Sequence, residues 1–201
     1  MAIIVNKEEK KREIALSCRK LFIEGNINQL TIATIAKTAK VGKGTIYEYF
    51  ENKEDILFEL VSILMYEHHQ NKEKELAQID NLRDKIKCFY AFYYAKESSD
   101  LRKLYKDFIA ISLIAPNERV KAFQTECVDY YYTWVEALID EAIAKGEIIE
   151  QSRMLVKGMF AFGQGMYIYH LSTNFVVDLE KEINSNVDTI FALIQKENHA
   201  S

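Results

Sequence analysis

Apolar positions recur at helical spacing along nearly the whole chain. Ile14, Cys18, Leu21 and Phe22 make one stripe, which Glu24-Gly25-Asn26 ends. Ile32, Ile35, Ala36 and Ala39 follow at i, i+3, i+4, i+7, with Thr31 placed to cap the segment. Val41-Gly42-Lys43-Gly44 breaks the pattern, and Ile46 and Phe50 then share a face of a third short helix. Asn52 reads as the N-cap of a long fourth helix, with Glu54 and Asp55 in its first turn favoured by the helix dipole. Further helices are predicted near Leu82–Glu97, Leu101–Ala115 (ended by Pro116), Val120–Lys145 (closed by Gly146), Arg153–Leu171 and Leu179–Lys196, the last capped by Asp178. No segment alternates with period two for more than a few residues, so an all-α fold of about nine helices and no strand is expected.

Composition narrows the class. The chain has 201 residues, 49% of them hydrophobic, which suffices for a real core. One proline and seven glycines are too few for a turn-rich β-sandwich. Cys18, Cys88 and Cys127 are an odd number without a C-x-x-C, which argues against a disulfide framework or zinc ribbon and for a reducing cytoplasm. Met1–Val5 is apolar, but Asn6 and the charged run Lys7–Glu13 end it, so a secretory signal is not expected. Met154–Val177 has only Lys157 as a formal charge, yet Gln164, His170, Ser172, Thr173 and Asn174 make it a helix buried in protein rather than in a bilayer.

Net charge is −4, from 26 basic and 30 acidic side chains, and by itself does not suggest a polyanion partner. Its distribution does. Met1–Tyr47 holds nine Lys and Arg against four Glu, so the excess of acid lies entirely in the remainder. A basic front on an acidic body fits a small polyanion-binding module joined to a body with another task, although a solvated lysine-rich helix would look the same.

Three short helices separated by tight turns are the parts of a helix-turn-helix, in which the start of the third helix enters the major groove. Lys43-Gly44-Thr45 stands at that start. Lys43 can donate to guanine O6 and N7, Gly44 lets backbone approach the bases, and the Thr45 methyl can pack on a thymine methyl. Thr31, Tyr47, Tyr49 and Lys53 fall where a phosphate backbone would pass, and the helix N-termini at Thr31 and Asn52 add partial positive charge. Tyr47 and Tyr49 as packing residues are the competing reading.

Thr31-Ile32-x-x-Ile35-Ala36-x-x-Ala39-x-Val41-Gly42-Lys43-Gly44-Thr45-Ile46-Tyr47-x-Tyr49-Phe50-x-Asn52-Lys53-Glu54-x-x-Leu57 resembles the DNA-binding signature of the TetR family of bacterial transcriptional regulators. With the preceding helix this covers about a quarter of the chain. The resemblance implies base contacts at Lys43, Gly44 and Thr45, and phosphate contacts at Thr31, Tyr47, Tyr49 and Lys53. Gly42 departs from the serine common there, and Tyr49 from a frequent histidine. It also implies a helix-turn-helix DNA-binding domain over 1–53, a helical ligand-binding and dimerisation domain over 54–201, a small-molecule effector, and repression as the usual outcome.

Two half-site readers about 34–36 Å apart require a dimer. Met154, Gly158, Ala161, Gly165, Ile168 and Ser172 form a small-residue seam, and Leu179, Ile183, Val187, Ile190 and Ile194 an aliphatic stripe. Both are expected at a homodimer interface, the alternative being packing within one subunit. The middle of the chain is rich in aromatics, most of them core; Phe89, Tyr93, Phe108, Trp134, Met166, Tyr167 and His170 are the candidates for lining an effector cavity.

No catalytic residue, cofactor or metal is expected. His68 and His69 are adjacent and point to different sides of a helix, so they cannot chelate as an i, i+4 pair, and no nucleophile elbow or P-loop is present. A helical enzyme built from dispersed residues and a protein-binding helical bundle are the other classes.

Overall fold

Cap chemistry sets the helix boundaries in the computed structural model, which describes residues 6–114 and 118–196. Asn6 accepts the Glu8 amide to open α1 (Lys7–Ser17), and Thr31 accepts the Thr34 amide at 3.2 Å to open α3 (Ile32–Thr38). Between them lies α2 (Arg19–Glu24). The single helix expected over 14–22 is thus split at Cys18. Its backbone (φ −91°, ψ 0°) tightens one turn, with its amide on the Ala15 carbonyl while the Ser17 hydroxyl takes the Ile14 carbonyl. Gly25 ends α2 as predicted, and a Cβ there would lie 2.6 Å from the Leu21 carbonyl oxygen.

Then come α4 (Lys43–Tyr49), α5 (Lys53–Leu76), α6 (Leu82–Tyr90), α7 (Ser99–Ile114), α8 (Glu118–Ala144), α9 (Val156–Ser172) and α10 (Leu179–Ile194). Asn52 and Asp178 cap α5 and α10, as their positions predict. Gly146 closes α8 in the left-handed region at φ 75°. The helix predicted to reach Glu97 stops at Tyr90 and continues as 3-10 turns, Ala91–Tyr93 and Lys96–Ser98. Pro116 and the apolar start Met1–Val5 lie outside the described residues. Among the described residues the extended pairing is one antiparallel bridge, Ile148 with Gln195. No described helix is long and apolar enough to cross a membrane.

The chain divides into two compact units. The first comprises 1–70 and 99–123. Its core holds Ile14, Phe22, Ile35, Ile46, Phe50, Leu57, Leu60, Leu104 and Phe108, so α7 belongs with α1–α4 and most of α5. Arg19 faces Asp100, and the Lys103 ammonium donates to the Ile23 carbonyl at 3.2 Å, tying α2 to α7.

The second comprises 71–98 and 124–201. Its core combines Leu82, Ile86 and Tyr90 of α6, Val135 and Ile139 of α8, Met159 and Tyr167 of α9, and Ile183, Val187, Phe191 and Ile194 of α10. The Tyr90 hydroxyl donates to the Met159 carbonyl at 2.8 Å, and burial pushes its phenol pKa up. Gly163 makes that packing possible. A Cβ there would meet the Tyr90 and Tyr93 rings at 2.7 Å.

Candidate nucleic-acid interface

The geometry of the basic front is set by α3, α4 and the turn between them. Ile35, Ala36, Ile46 and Phe50 are buried and pin the two short helices, whereas Lys43 and Gly44 are exposed, Tyr47 is 59% exposed, and Thr45 and Tyr49 are half-buried. Thr31 is exposed at the N-terminus of α3, its hydroxyl 3.0 Å from that of Thr34.

Three consecutive features of this segment run against local preference. The turn is a Schellman arrangement: the Val41 amide donates to the Ala36 carbonyl at 3.0 Å and the Lys40 amide to the Lys37 carbonyl at 3.2 Å. Its left-handed position is occupied by Lys40 (φ 55°), where a side chain costs about 1–2 kcal/mol. Lys43 then puts a cation at the positive end of the α4 dipole, unfavourable by about 0.3–1 kcal/mol. Gly44 costs about 1 kcal/mol relative to alanine inside the helix, yet a Cβ there would meet nothing within 4 Å. Nothing in the chain itself requires a glycine at 44. A surface that approaches from outside and carries negative charge accounts for both Lys43 and Gly44, and such breaches of local rules are expected at functional sites.

Sequence reading missed Lys40, because the glycines that normally mark a left-handed turn stand two and four residues later. Gly42 is the cap position of α4, in extended backbone (φ −70°, ψ 154°) and without a side-chain cap bond. A Cβ at 42 would sit 3.8 Å from the Thr45 hydroxyl, an ordinary contact, so nothing within the chain demands glycine there either.

Lys53 has a different environment from the other candidates. It is half-buried, and its ammonium donates to the Asn28 and Leu30 carbonyls at 3.3 and 3.1 Å. The start of α5 beneath it is doubly fastened. Asn52 Oδ1 accepts the Asp55 amide at 2.8 Å, and the buried Asp55 carboxylate accepts the Glu51 amide at 3.2 Å.

The candidates for an effector cavity separate. Phe89, Tyr93, Trp134, Met166 and Tyr167 belong to the core of the second unit or pack on it. The Phe89 ring centroid lies 5.4 Å from those of Tyr131 and Phe160 and 6.3 Å from Trp134, and Tyr93 lies 5.7 Å from Tyr167. His170 is exposed near the end of α9, its Nδ1 3.0 Å from the Val176 carbonyl. Phe108 is in the first unit, packed on Phe58, Tyr105 and Phe123 at 5.3, 6.2 and 5.4 Å. A small cavity lined by Phe58, Ser62, Phe108, Val120 and Phe123 opens beside it, with Arg119 3.7 Å from Glu59 at its edge.

The interface candidates separate too. Met154 is 84% exposed in a 3-10 turn before α9, and Gly158, Ala161 and Ile168 are exposed on α9 itself. A Cβ at Gly158 or Gly165 would meet nothing. The α10 stripe is different and corrects the expectation. Ile183, Val187 and Ile194 are buried in the chain's own core and Ile190 is packed against it, because this face of α10 covers α6. Exposed apolar residues that sequence reading passed over lie instead at Tyr169, Leu171, Phe175, Val177 and Leu193. They fall outside any one helical period, which hid them.

The profile of the bacterial regulatory proteins of the tetR family matches residues 17–60, from the last residue of α1 into the first part of α5. The fatty acid metabolism regulator protein of Bacillus subtilis is 25% identical over 157 residues, covering 78% of this chain and 80% of its own. The transcriptional regulator HbdR of Aromatoleum is 47% identical over 51 residues, a quarter of this chain and 22% of its own. Among solved structures, a transcriptional regulator from Saccharomonospora viridis in complex with choline superposes with a TM-score of 0.76 at 17% identity, over 94% of this chain and 99% of that one. The regulator FadR from Bacillus subtilis in complex with stearoyl-CoA gives 0.64 at 22% identity, over 90% and 97%. A helix-turn-helix with an exposed α4 start and the matched profile agree over residues 17–60, where the chain is similar to the bacterial regulatory proteins of the tetR family, and the likeness in fold extends along the rest of the chain.

Proposed function

We propose that the protein is a sequence-specific DNA-binding repressor that acts in the cytoplasm as a homodimer and releases its operator when a small hydrophobic or aromatic molecule binds. Lys43, Gly44 and Thr45 read base edges, and Thr31, Tyr47 and Tyr49 hold phosphates. The DNA-reading function belongs to residues 1–53, and sensing and pairing to 54–201. The observation that carries the reading is the run of locally unfavourable choices at Lys40, Lys43 and Gly44 on an exposed helix start.

The aromatic cluster around Phe89, Trp134 and Tyr167 supports an effector with an apolar body. Relatives of similar fold hold ligands as different as choline and stearoyl-CoA, so the fold leaves the effector open. Driving two spacings of the α4 helices from 1:99 to 99:1 takes roughly 5.5 kcal/mol of differential binding, within reach of an enclosed apolar molecule. Pairing is assigned to the exposed face of α9, where Gly158, Ala161 and Gly165 allow close approach of a second helix and Ile168 adds apolar area.

Gel-shift titration of the DNA immediately upstream of the protein's own gene, at several salt concentrations, tests the reading. Binding whose affinity falls steeply with salt is expected, because each neutralised phosphate releases counterions. Absence of binding at low salt to that DNA and to a randomised duplex library would overturn it.

A further inference from the structure

Lys53 begins α5, where a cation opposes the helix dipole. Its surroundings give it another task. Two of its three ammonium protons are spent on the Asn28 and Leu30 carbonyls, at 3.3 and 3.1 Å, and neither bond involves a carboxylate. Those carbonyls flank the end of the 3-10 turn Ile27–Gln29, whose own bonds run from the Gln29 amide to Asn26 and from the Leu30 amide to Ile27. The turn therefore leaves both oxygens to Lys53.

The Leu30 carbonyl shares one rigid peptide plane with the Thr31 amide. Clamping that oxygen fixes the plane, and with it the extended conformation (φ −116°, ψ 153°) in which Thr31 caps α3. Lys53 is itself held, since Asn52 and Asp55 fasten the start of α5 on either side of it. A continuous path of hydrogen bonds thus runs from the α5 start through Lys53 and the Leu30–Thr31 peptide to the Thr34 amide.

We propose that Lys53 serves DNA binding as a positioning residue, holding the Leu30–Thr31 peptide so that the N-terminus of α3 stays capped and aimed, instead of contacting a phosphate. The proposal rests on the DNA reading above. It also makes the joint between α5 and α3 a fixed one, so that a displacement of the α5 start would be passed directly to the phosphate-facing end of α3.

Lys53→Met and Lys53→Arg test it with two readouts. The first is amide exchange at Thr34 in the protein without DNA. The second is affinity for a duplex selected by the wild type from a randomised 30-base-pair library, measured across salt concentrations. Lys53→Met is expected to speed Thr34 exchange and to weaken binding roughly fivefold to tenfold, the scale of a lost cap. The salt slope should stay at the wild-type value. Lys53→Arg, which can still donate to two carbonyls, should restore both exchange and affinity. A salt slope reduced by about 0.9 in Lys53→Met, with Thr34 exchange unchanged, would make Lys53 a direct phosphate ligand and overturn the proposal. Failure of the wild type to select any duplex would instead overturn the DNA reading, and the proposal with it, so the two failures are distinguishable.

Discussion

Helices α4 and α9 each leave one face uncovered, and the two faces differ in kind. On α4 the uncovered positions are Lys43, Gly44, Tyr47 and Glu48, polar or small, on a helix of seven residues pinned by the single buried side chain Ile46. On α9 they are Lys157, Gly158, Ala161, Ile168, Tyr169, His170, Leu171 and Ser172, of which Gly158, Ala161 and Ile168 make a small and apolar strip along a helix of seventeen residues anchored by Val156, Met159, Gly163 and Tyr167. An exposed cation beside a glycine suits a charged, hydrated surface that comes close. An exposed apolar seam suits a second apolar seam. Exposure says that a face is available, and its chemistry says for what.

Substitutions on the two faces should therefore fail in different ways. Ile168→Lys is expected to have the largest effect. It puts a charge into the α9 seam, so sedimentation should show monomer at micromolar concentration, and binding to a palindromic duplex should collapse with the loss of the second reader. A monomeric wild type would remove the interface altogether.

Within α9 the three glycines sharpen the contrast. Gly163→Ala forces a methyl into the Tyr90 and Tyr93 rings at 2.7 Å and should lower unfolding free energy by about 1–3 kcal/mol in urea denaturation. Gly165→Ala meets open space in the protomer, so any loss it causes should appear in dimer affinity and not in the stability of a monomeric background.

Across on α4, Lys43→Ala should relax base preference at one position of the half-site by about 1–3 kcal/mol while leaving the fold at least as stable, since it removes a cation from the positive end of the dipole. Selection from a randomised duplex library reads this directly. An unchanged preference would move base reading elsewhere. The smallest effect is expected from Lys40→Gly, which relieves the left-handed strain at φ 55° and should raise the unfolding free energy by up to about 1 kcal/mol.

Much of this architecture was legible before any coordinates. Thr31, Asn52 and Asp178 are short polar residues ahead of apolar stripes, and each caps the helix that it precedes. Gly146 takes the left-handed position after α8, where only glycine is comfortable. Lys40 holds the same position after α3 with no such mark, so one turn could be read and the other could not.

The stripe on α10 shows a second limit. Periodicity says that Ile183, Val187 and Ile194 are buried, but it does not say against what, and they cover α6 and not a partner. Lys53 shows a third. A lysine in a phosphate-binding pattern reads as a ligand, and nothing in the sequence signals that the Asn28 and Leu30 carbonyls take two of its three protons in the free protein.

The central claim is that the start of α4 sacrifices local stability to let a DNA duplex approach. Gly44→Ala tests it most directly when thermal unfolding and duplex affinity are measured on the same preparation. The account expects opposite signs: a fold more stable by about 1 kcal/mol, because alanine is the better helix former and its methyl meets open space, and binding weaker by tenfold or more. A variant that is more stable and binds the duplex as tightly as the parent would contradict it.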